Sequence, residues 1–475
     1  MHSVGSFWNV STYPNGASKF NYGWVPNPSS LYSQTFTSSP YQVDRAEVNL
    51  TSKLNELFTA RLAYSFTNAY AFGFNNAYNV LSDGSNNGVY GQWVFRNNGT
   101  RYQVSSGYGF LDAHFTTWMF DHKMTMGYYG NILTTQLGGA SGFGGVFLSG
   151  LNVFNGPTYI PEPSAASLGY PVSWFGARYT ASVAAQNNFV VGDDIKFNEY
   201  LSALVGANFA EIIARNYGFA PPFAETSAYD QGKLTPSLSL IFKPLPWLST
   251  YVTYSESLEQ GQIVPSTGAP VYTNAGQILP PYLSEEYEIG AKANVGGMLL
   301  TAALFKINKA LQYSITNTDG TATYVQDGRE IHKGIELTAT GNVFDGFRLL
   351  GGVTLMDPRV VNQEANTALV GKISQNVSSR MVKATAEYDL PFAPGLTLTG
   401  GAYYVGKAPA DVINSVFWPD YVTEDIGLRY KGNLPSGQEA VFRLNVSNLT
   451  NKAYWLNSSN VGAPRTIAMS TQIKF

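Results

Sequence analysis

The 475-residue sequence has no cysteine, and only 13% of its residues are charged. Without cysteine there is no disulfide framework, thiolate catalysis or cysteine-bound metal, and the absence suits a chain exported through an oxidising compartment. The low charge departs from the roughly 25% of an ordinary soluble domain and points to contact with membrane. Yet no run of about 20 apolar residues exists to form a spanning helix, and the mean hydropathy is close to zero. Basic runs are also missing and the net charge is −3, which argues against nucleic acid as a partner. The four histidines, His2, His114, His122 and His332, show no metal-ligand spacing. No nucleophile elbow or Walker-type loop is recognisable, so no resident metal, cofactor or enzymatic activity is expected. Met1-His2-Ser3-Val4 opens neither a basic n-region nor an apolar h-region. The reading preferred here is that the true N-terminus lies upstream.

What the sequence does have is alternation. Aromatic residues make up 14% and glycine contributes 47 residues, spread evenly from end to end. Helical periodicity is nearly absent, while period-two patterns recur throughout. In Thr466–Phe475, Ile467, Met469, Ile473 and Phe475 share one face with Thr471. Thr466, Ser470, Gln472 and Lys474 share the other with Ala468. A segment of about 10 such residues matches a transmembrane strand. Averaged over lipid-facing and lumen-facing positions, a membrane barrel looks soluble, which reconciles the hydropathy with the low charge.

Seventeen or eighteen strands are expected, in pairs joined by short turns. Examples are Phe58–Tyr70 after Leu54-Asn55-Glu56-Leu57, the pair across Gly296-Gly297, and Arg101–Trp118 with Lys123–Leu133 across Phe120-Asp121-His122. Long connections rich in Gly, Pro, Asn and aromatics separate the pairs. Short turns alternating with long loops mark an all-β, antiparallel, up-and-down transmembrane barrel with periplasmic turns and extracellular loops. Residues 1–40 read as a loop or partial strand and 41–475 as the barrel. An odd count that begins and ends on a descending strand implies at least one ascending strand before Met1.

Several segments carry a family resemblance. Asn448-Leu449-Thr450-Asn451-Lys452-Ala453-Tyr454-Trp455 is followed by Gly462-Ala463-Pro464-Arg465 and a terminal Phe475. Upstream lie Leu279-Pro280-Pro281-Tyr282 with Tyr287-Glu288-Ile289-Gly290-Ala291-Lys292, then Gln326-Asp327-Gly328-Arg329 with Lys333-Gly334-Ile335-Glu336. In this order and spacing they resemble the TonB-dependent siderophore receptor family. The resemblance implies a plugged barrel of 22 strands in the outer membrane, a TonB box and a plug. Neither box nor plug is found in this sequence, which is therefore expected to be an N-terminally incomplete barrel.

The function the resemblance implies is ferric siderophore uptake energised by TonB. Iron would arrive inside its chelator, so protein ligands to iron are not needed. Ligand contact is expected from aromatic loop residues, with Tyr159, Tyr170, Trp174, Phe175, Phe223, Tyr229, Tyr272 and Trp418 as candidates. Each also has a plainer reading as a girdle or loop-packing residue. Phe475, with Ile473 and Thr471, is implied as the signal read by the barrel-assembly machinery. Glu288 and Glu336 are expected to face a polar lumen. Outer-membrane lipid is the expected surroundings and a monomer the expected state. Competing readings are a passive porin, a receptor for another nutrient such as a cobalamin or a sugar, and a secreted β-protein that binds glycans.

Overall fold

The structure is a computed structural model. It describes residues 8–10, 18–20, 22–37, 41–71, 75–81, 88–96, 99–138, 145–164, 178–218, 221–265 and 271–474.

Seventeen long strands form one barrel sheet, from Tyr41–Lys53 to Thr466–Ile473. Each of the seventeen sequence-expected strands has its counterpart there. Every pair consecutive along the wall is antiparallel, including Tyr41–Lys53 with Phe58–Ala71 and Glu439–Ser447 with Thr466–Ile473. At one end the strands meet through short turns, of two residues at 246–247, 296–297 and 345–346. Gly296 and Gly297 both have positive φ, 57° and 83°, which a two-residue hairpin matching the strand twist requires. At the other end the connections are long, as at 260–281 and 363–379.

One turn departs from expectation. It falls at Trp118-Met119, between Thr100–Thr117 and Phe120–Gly138, rather than at Phe120-Asp121-His122. The register pairs Phe115 with His122 and Thr116 with Asp121. His122 stacks on Phe115 at 4.9 Å, and His114 contacts Asp121 at 2.8 Å, so these residues are held in the ladder.

Register and alternation divide the wall into two faces. The inward face carries Arg61, Asp112, Thr125, Glu288, Glu336, Arg348 and Glu387, joined by contacts across the lumen side. The outward face carries apolar side chains such as Val48, Leu50, Leu62, Leu238, Leu240, Val252 and Ile289, all exposed. In the last strand, Ile467, Met469 and Ile473 pair with Val446, Leu444 and Ala440 on this outward face. Thr471 pairs there with Phe442, while Phe475 lies outside the described residues.

The first and last strands both run from the long loops toward the short turns. Among the described residues no backbone ladder joins them, and every residue of both is exposed. Parallel neighbours cannot continue an up-and-down antiparallel wall, so the seam is a consequence of the odd count.

Candidate ligand face and lumen

The long connections at the loop end carry a second, smaller sheet that the sequence pattern did not disclose. Trp8–Val10, Asn75–Leu81, Val89–Arg96 and Gly145–Asn152 form four strands in that order. Its core is aromatic. The Trp8 ring meets Tyr90 at 5.2 Å and Tyr32 at 5.3 Å, both edge-on, a favoured geometry for aromatic pairs. Two of its strands also hold a buried amide network through Asn79 and Gln92. Gln34 Nε2 donates to Gln92 Oε1 at 2.6 Å, Gln92 Nε2 donates to Asn79 Oδ1 at 2.8 Å, and Gln34 Oε1 accepts from the Ile160 N–H at 2.9 Å. These buried amides are therefore satisfied, as burial demands.

This cap spans the seam. Trp455, in the last long loop, is 1% exposed and packs on Phe20 at 5.6 Å and Tyr22 at 5.1 Å. Its indole N–H donates to the Trp24 carbonyl at 2.9 Å. The Tyr22 hydroxyl donates to the Ser458 carbonyl at 2.6 Å, the Trp8 N–H to Ser459 O at 2.7 Å, and the Ser18 N–H to Asp411 Oδ2 at 2.9 Å. Trp8, Ser18, Phe20, Tyr22 and Trp24 thus fasten the segment before the first strand of the wall to loops near its end. Burial pushes the Tyr22 phenol pKa well above its ordinary value and that of Tyr90 up to about 12, so both stay neutral hydrogen-bonding or packing groups at neutral pH.

The sequence-expected ligand residues fall in different surroundings. Tyr159 is 46% exposed at the cap, with its hydroxyl donating to Leu31 O at 3.1 Å. Phe223 is exposed and stacks on Tyr179 at 4.8 Å. Tyr272 is half-buried, edge-on to Tyr324 at 5.7 Å, and bonded to Ser314 at 3.1 Å. Tyr229 is fully buried, and its hydroxyl accepts from the Gly261 N–H at 3.0 Å. Trp418 is 2% exposed within the cap core, donating to Asn376 Oδ1 at 3.3 Å. The last two hold the loops and present no open ring face. Tyr170, Trp174 and Phe175 lie outside the described residues.

The lumen wall adds groups that loop-centred reasoning missed. A hollow of about 410 Å³ is lined by Arg45, Glu47, Tyr108, Tyr129, Asn131 and Asn188 among others. Its rings, amides and ion pair (Arg45 to Glu47, 2.7 Å) are a mix suited to a polar, partly aromatic ligand. They sit on strands, where inward alternation was the available signal. Toward the short turns, Arg348 grips Asp389 through two bonds of 2.8 Å and reaches Glu387 at 3.1 Å, while Arg429 grips Glu387 through two bonds of 2.9 Å. Glu288 accepts from the Tyr251 hydroxyl at 2.6 Å and Glu336 from Thr354 at 3.3 Å, both on the inward face expected of them. Large apolar side chains also face inward: Leu204, Leu299 and Leu350, the last 57% exposed.

Comparison with known proteins follows the same lines. A family model described as "TonB dependent receptor-like, beta-barrel" matches residues 3–449. The ferrichrome receptor FcuA of Yersinia enterocolitica is 28% identical over 384 residues, 78% of this chain and 48% of that protein. The ferrioxamine receptor of the same organism is 30% identical over 46% of this chain and 29% of its own length. The crystal structure of BauA, the ferric preacinetobactin receptor of Acinetobacter baumannii, superposes with a TM-score of 0.75 at 22% identity, covering 96% of this chain and 66% of that one. The chain therefore spans about half the length of the ferrichrome receptor it matches.

Proposed function

The chain belongs to the TonB-dependent receptor β-barrel family, a family of outer-membrane transport receptors, and on that premise we propose that it forms the barrel wall of a receptor importing a ferric siderophore. Relatives named for ferrichrome and ferrioxamine support that ligand class. The ligand would meet the exposed Tyr159 and Phe223 and the half-buried Tyr272 first, and the Tyr108–Tyr129 hollow next. The chemistry is recognition and passage, with no covalent step.

The observation that carries the reading is the composition of the inward face. A water-filled pore has no use for Leu204, Leu299 and Leu350 pointing into its lumen, whereas a wall packed against a plug does. The ion-pair cluster of Arg348, Glu387, Arg429 and Asp389 would steady the wall beside that plug. TonB would act on the plug, supplied by the remainder of the receptor. The seam supports the same division. Two edges running in one direction need an odd number of intervening antiparallel strands, and lipid leaves unpaired backbone groups unsatisfied at several kcal/mol each. The assembled receptor is proposed to be a monomer inserted by the barrel-assembly machinery, with Ile473, Thr471 and Phe475 in its signal.

Uptake of radioactive iron by an iron-starved, receptor-null strain tests this. A receptor in which this wall is joined to its plug should take up iron from at least one of ferrichrome, ferrioxamine or a ferric catecholate, and lose uptake when TonB is deleted. Entry of small sugars at the same rate with and without TonB would instead establish a passive pore.

A further inference from the structure

The lumen hollow at Tyr108 and Tyr129 has a charge balance of its own. Among the described residues that line it, Arg45 and Glu47 are the charged ones, and the rest are aromatic, amide, hydroxyl or small. Both stand on Tyr41–Lys53, two positions apart, which puts them on one face of the strand. The Arg45 guanidinium meets the Glu47 carboxylate at 2.7 Å. Across the ladder Arg45 faces Thr67 and Glu47 faces Ser65, neither of which carries charge. Glu47 is therefore the group that neutralises Arg45, and the lining as a whole is electroneutral.

The uncharged part of the lining suits a polar, uncharged guest. Tyr108 stacks on Phe110 at 5.0 Å and pairs with Tyr129 across the ladder. Asn131 pairs with Gln186, and the buried Asn188 accepts from Asn208 Nδ2 at 3.0 Å. Rings and amides recognise amide, hydroxyl and apolar groups, but they cannot balance a net charge. Lys233 also turns inward, yet it stands two strands beyond Asn188 and outside the hollow.

The opposite side of the wall acts in the same sense. Tyr282–Val295 and Ala322–Phe344 turn Glu286, Glu288 and Glu336 into the lumen, with Lys292 on the same face over the Tyr251 ring at 5.2 Å. Higher up, Glu330 pairs with Lys309 across the ladder and adds no net charge. Carboxylates thus outnumber ammonium groups in this sector, and a cleft with low-dielectric walls focuses their field. An anion crossing the lumen meets repulsion on one side and no free cation in the hollow on the other.

We propose, on the reading that the cargo is a ferric siderophore, that the Arg45–Glu47 pair determines specificity: Glu47 masks Arg45, and the hollow thereby selects an uncharged tris-hydroxamate chelate against an anionic tris-catecholate. Three hydroxamates bring three negative charges to Fe(III) and leave the complex neutral. Three catecholates bring six and leave three uncompensated. Moving that charge out of water without a counter-ion is costly, and like charge across an interface rejects the wrong partner.

The test measures binding of two radioiron chelates, neutral ferrichrome and triply negative ferric enterobactin, by equilibrium dialysis. It uses the full chain folded in detergent, with folding checked by heat-modifiable gel mobility. The unaltered chain should bind ferrichrome about tenfold more tightly or better. Glu47→Gln unmasks Arg45 and should raise affinity for ferric enterobactin about tenfold, with ferrichrome held within about twofold. Arg45→Gln/Glu47→Gln should return ferric enterobactin to its original level. Glu56→Gln makes the same change of net charge at a periplasmic turn and should move neither. Should Glu47→Gln not fold, Arg45→Gln replaces it, with a several-fold fall in ferric enterobactin binding expected. Tighter binding of ferric enterobactin by the unaltered chain would overturn the proposal and leave the receptor reading standing. So would an unchanged ratio in Glu47→Gln, or an equal gain from Glu56→Gln. Binding of neither chelate by any of these proteins would remove the receptor reading and the proposal together.

Discussion

Met469 sits midway along Thr466–Ile473, pairs with Leu444 and is 80% exposed on the outward face. An arginine there would face the middle of the bilayer, where lipid-facing Arg or Lys costs about 2–4 kcal/mol in barrels. That is roughly a 30- to 900-fold shift against the inserted state at about 1.36 kcal/mol per tenfold. The comparison substitution must face the lumen without adding a second penalty. Ser470 is unsuitable because its ladder partner is Arg443, and an arginine there would meet a like charge. Ala468 pairs with Asn445 on the inward face and serves better. Met469→Arg should lower the folded fraction, read by heat-modifiable gel mobility after outer-membrane extraction, while Ala468→Arg should leave it within about twofold. Equal losses at both positions would refute the assignment of faces, and with it the register of the whole wall.

Three further outcomes are expected. Trp455→Ala removes a buried indole whose loss costs about 3–5 kcal/mol, so residues 8–34 should detach and trypsin should cut after Lys19 on intact cells, with the heat-modifiable barrel retained; unchanged protection would deny the cap its fastening role. The cap should also loosen in alkali. The Tyr90 phenol has a raised folded-state pKa of about 12 against an ordinary 10, so its contribution is complete below pH 10 and is lost as pH rises toward 12, visible as faster cutting at Lys19 over that window and not between pH 7 and 9. A protease site inserted after Pro163 should be cleaved from outside intact cells and one at Asp345 or Ser436 should not; the reverse pattern would invert the orientation of the wall.

The barrel was legible because lipid and lumen write opposite demands on alternate residues, and Leu234–Lys243 or Glu285–Val295 cannot satisfy both in any other way. The same rule explains where strand ends were misjudged. The strand expected at Leu234–Lys243 runs from Glu225 to Leu245, and its extra residues include Glu225, Asp230 and Lys233. Beyond the bilayer no lipid enforces alternation, so the chain stays in the ladder while the pattern fades. The 118–119 turn was displaced for a related reason: Asp121 and His122 read as turn residues by type, but each has a cross-strand partner.

The cap was hidden by its own chemistry. Val89–Arg96 does alternate, with Tyr90, Gln92 and Val94 buried and Trp93 exposed, but a glutamine in the buried register breaks the apolar face. Gln92 is tolerated because Asn79, its partner across the ladder, and Gln34 and the Tyr32 carbonyl, from a distant segment, satisfy its amide, and a sequence pattern holds no record of such pairings. The ligand candidates failed to separate for the same reason. An aromatic ring in a long loop satisfies a core as readily as a ligand, and the difference between Tyr159, which stays open, and Trp418, which is sealed, depends on what the other loops bring to it. The loops that seal Trp418 and Trp455 also join residues 8–34 to the end of the wall, so the outer mouth is tied across the same seam that the strands leave unpaired. A wall fastened at its loop end and unladdered below it has its weakest line between Tyr41–Lys53 and Thr466–Ile473, where both edges offer free backbone donors and acceptors to strands of the opposite direction.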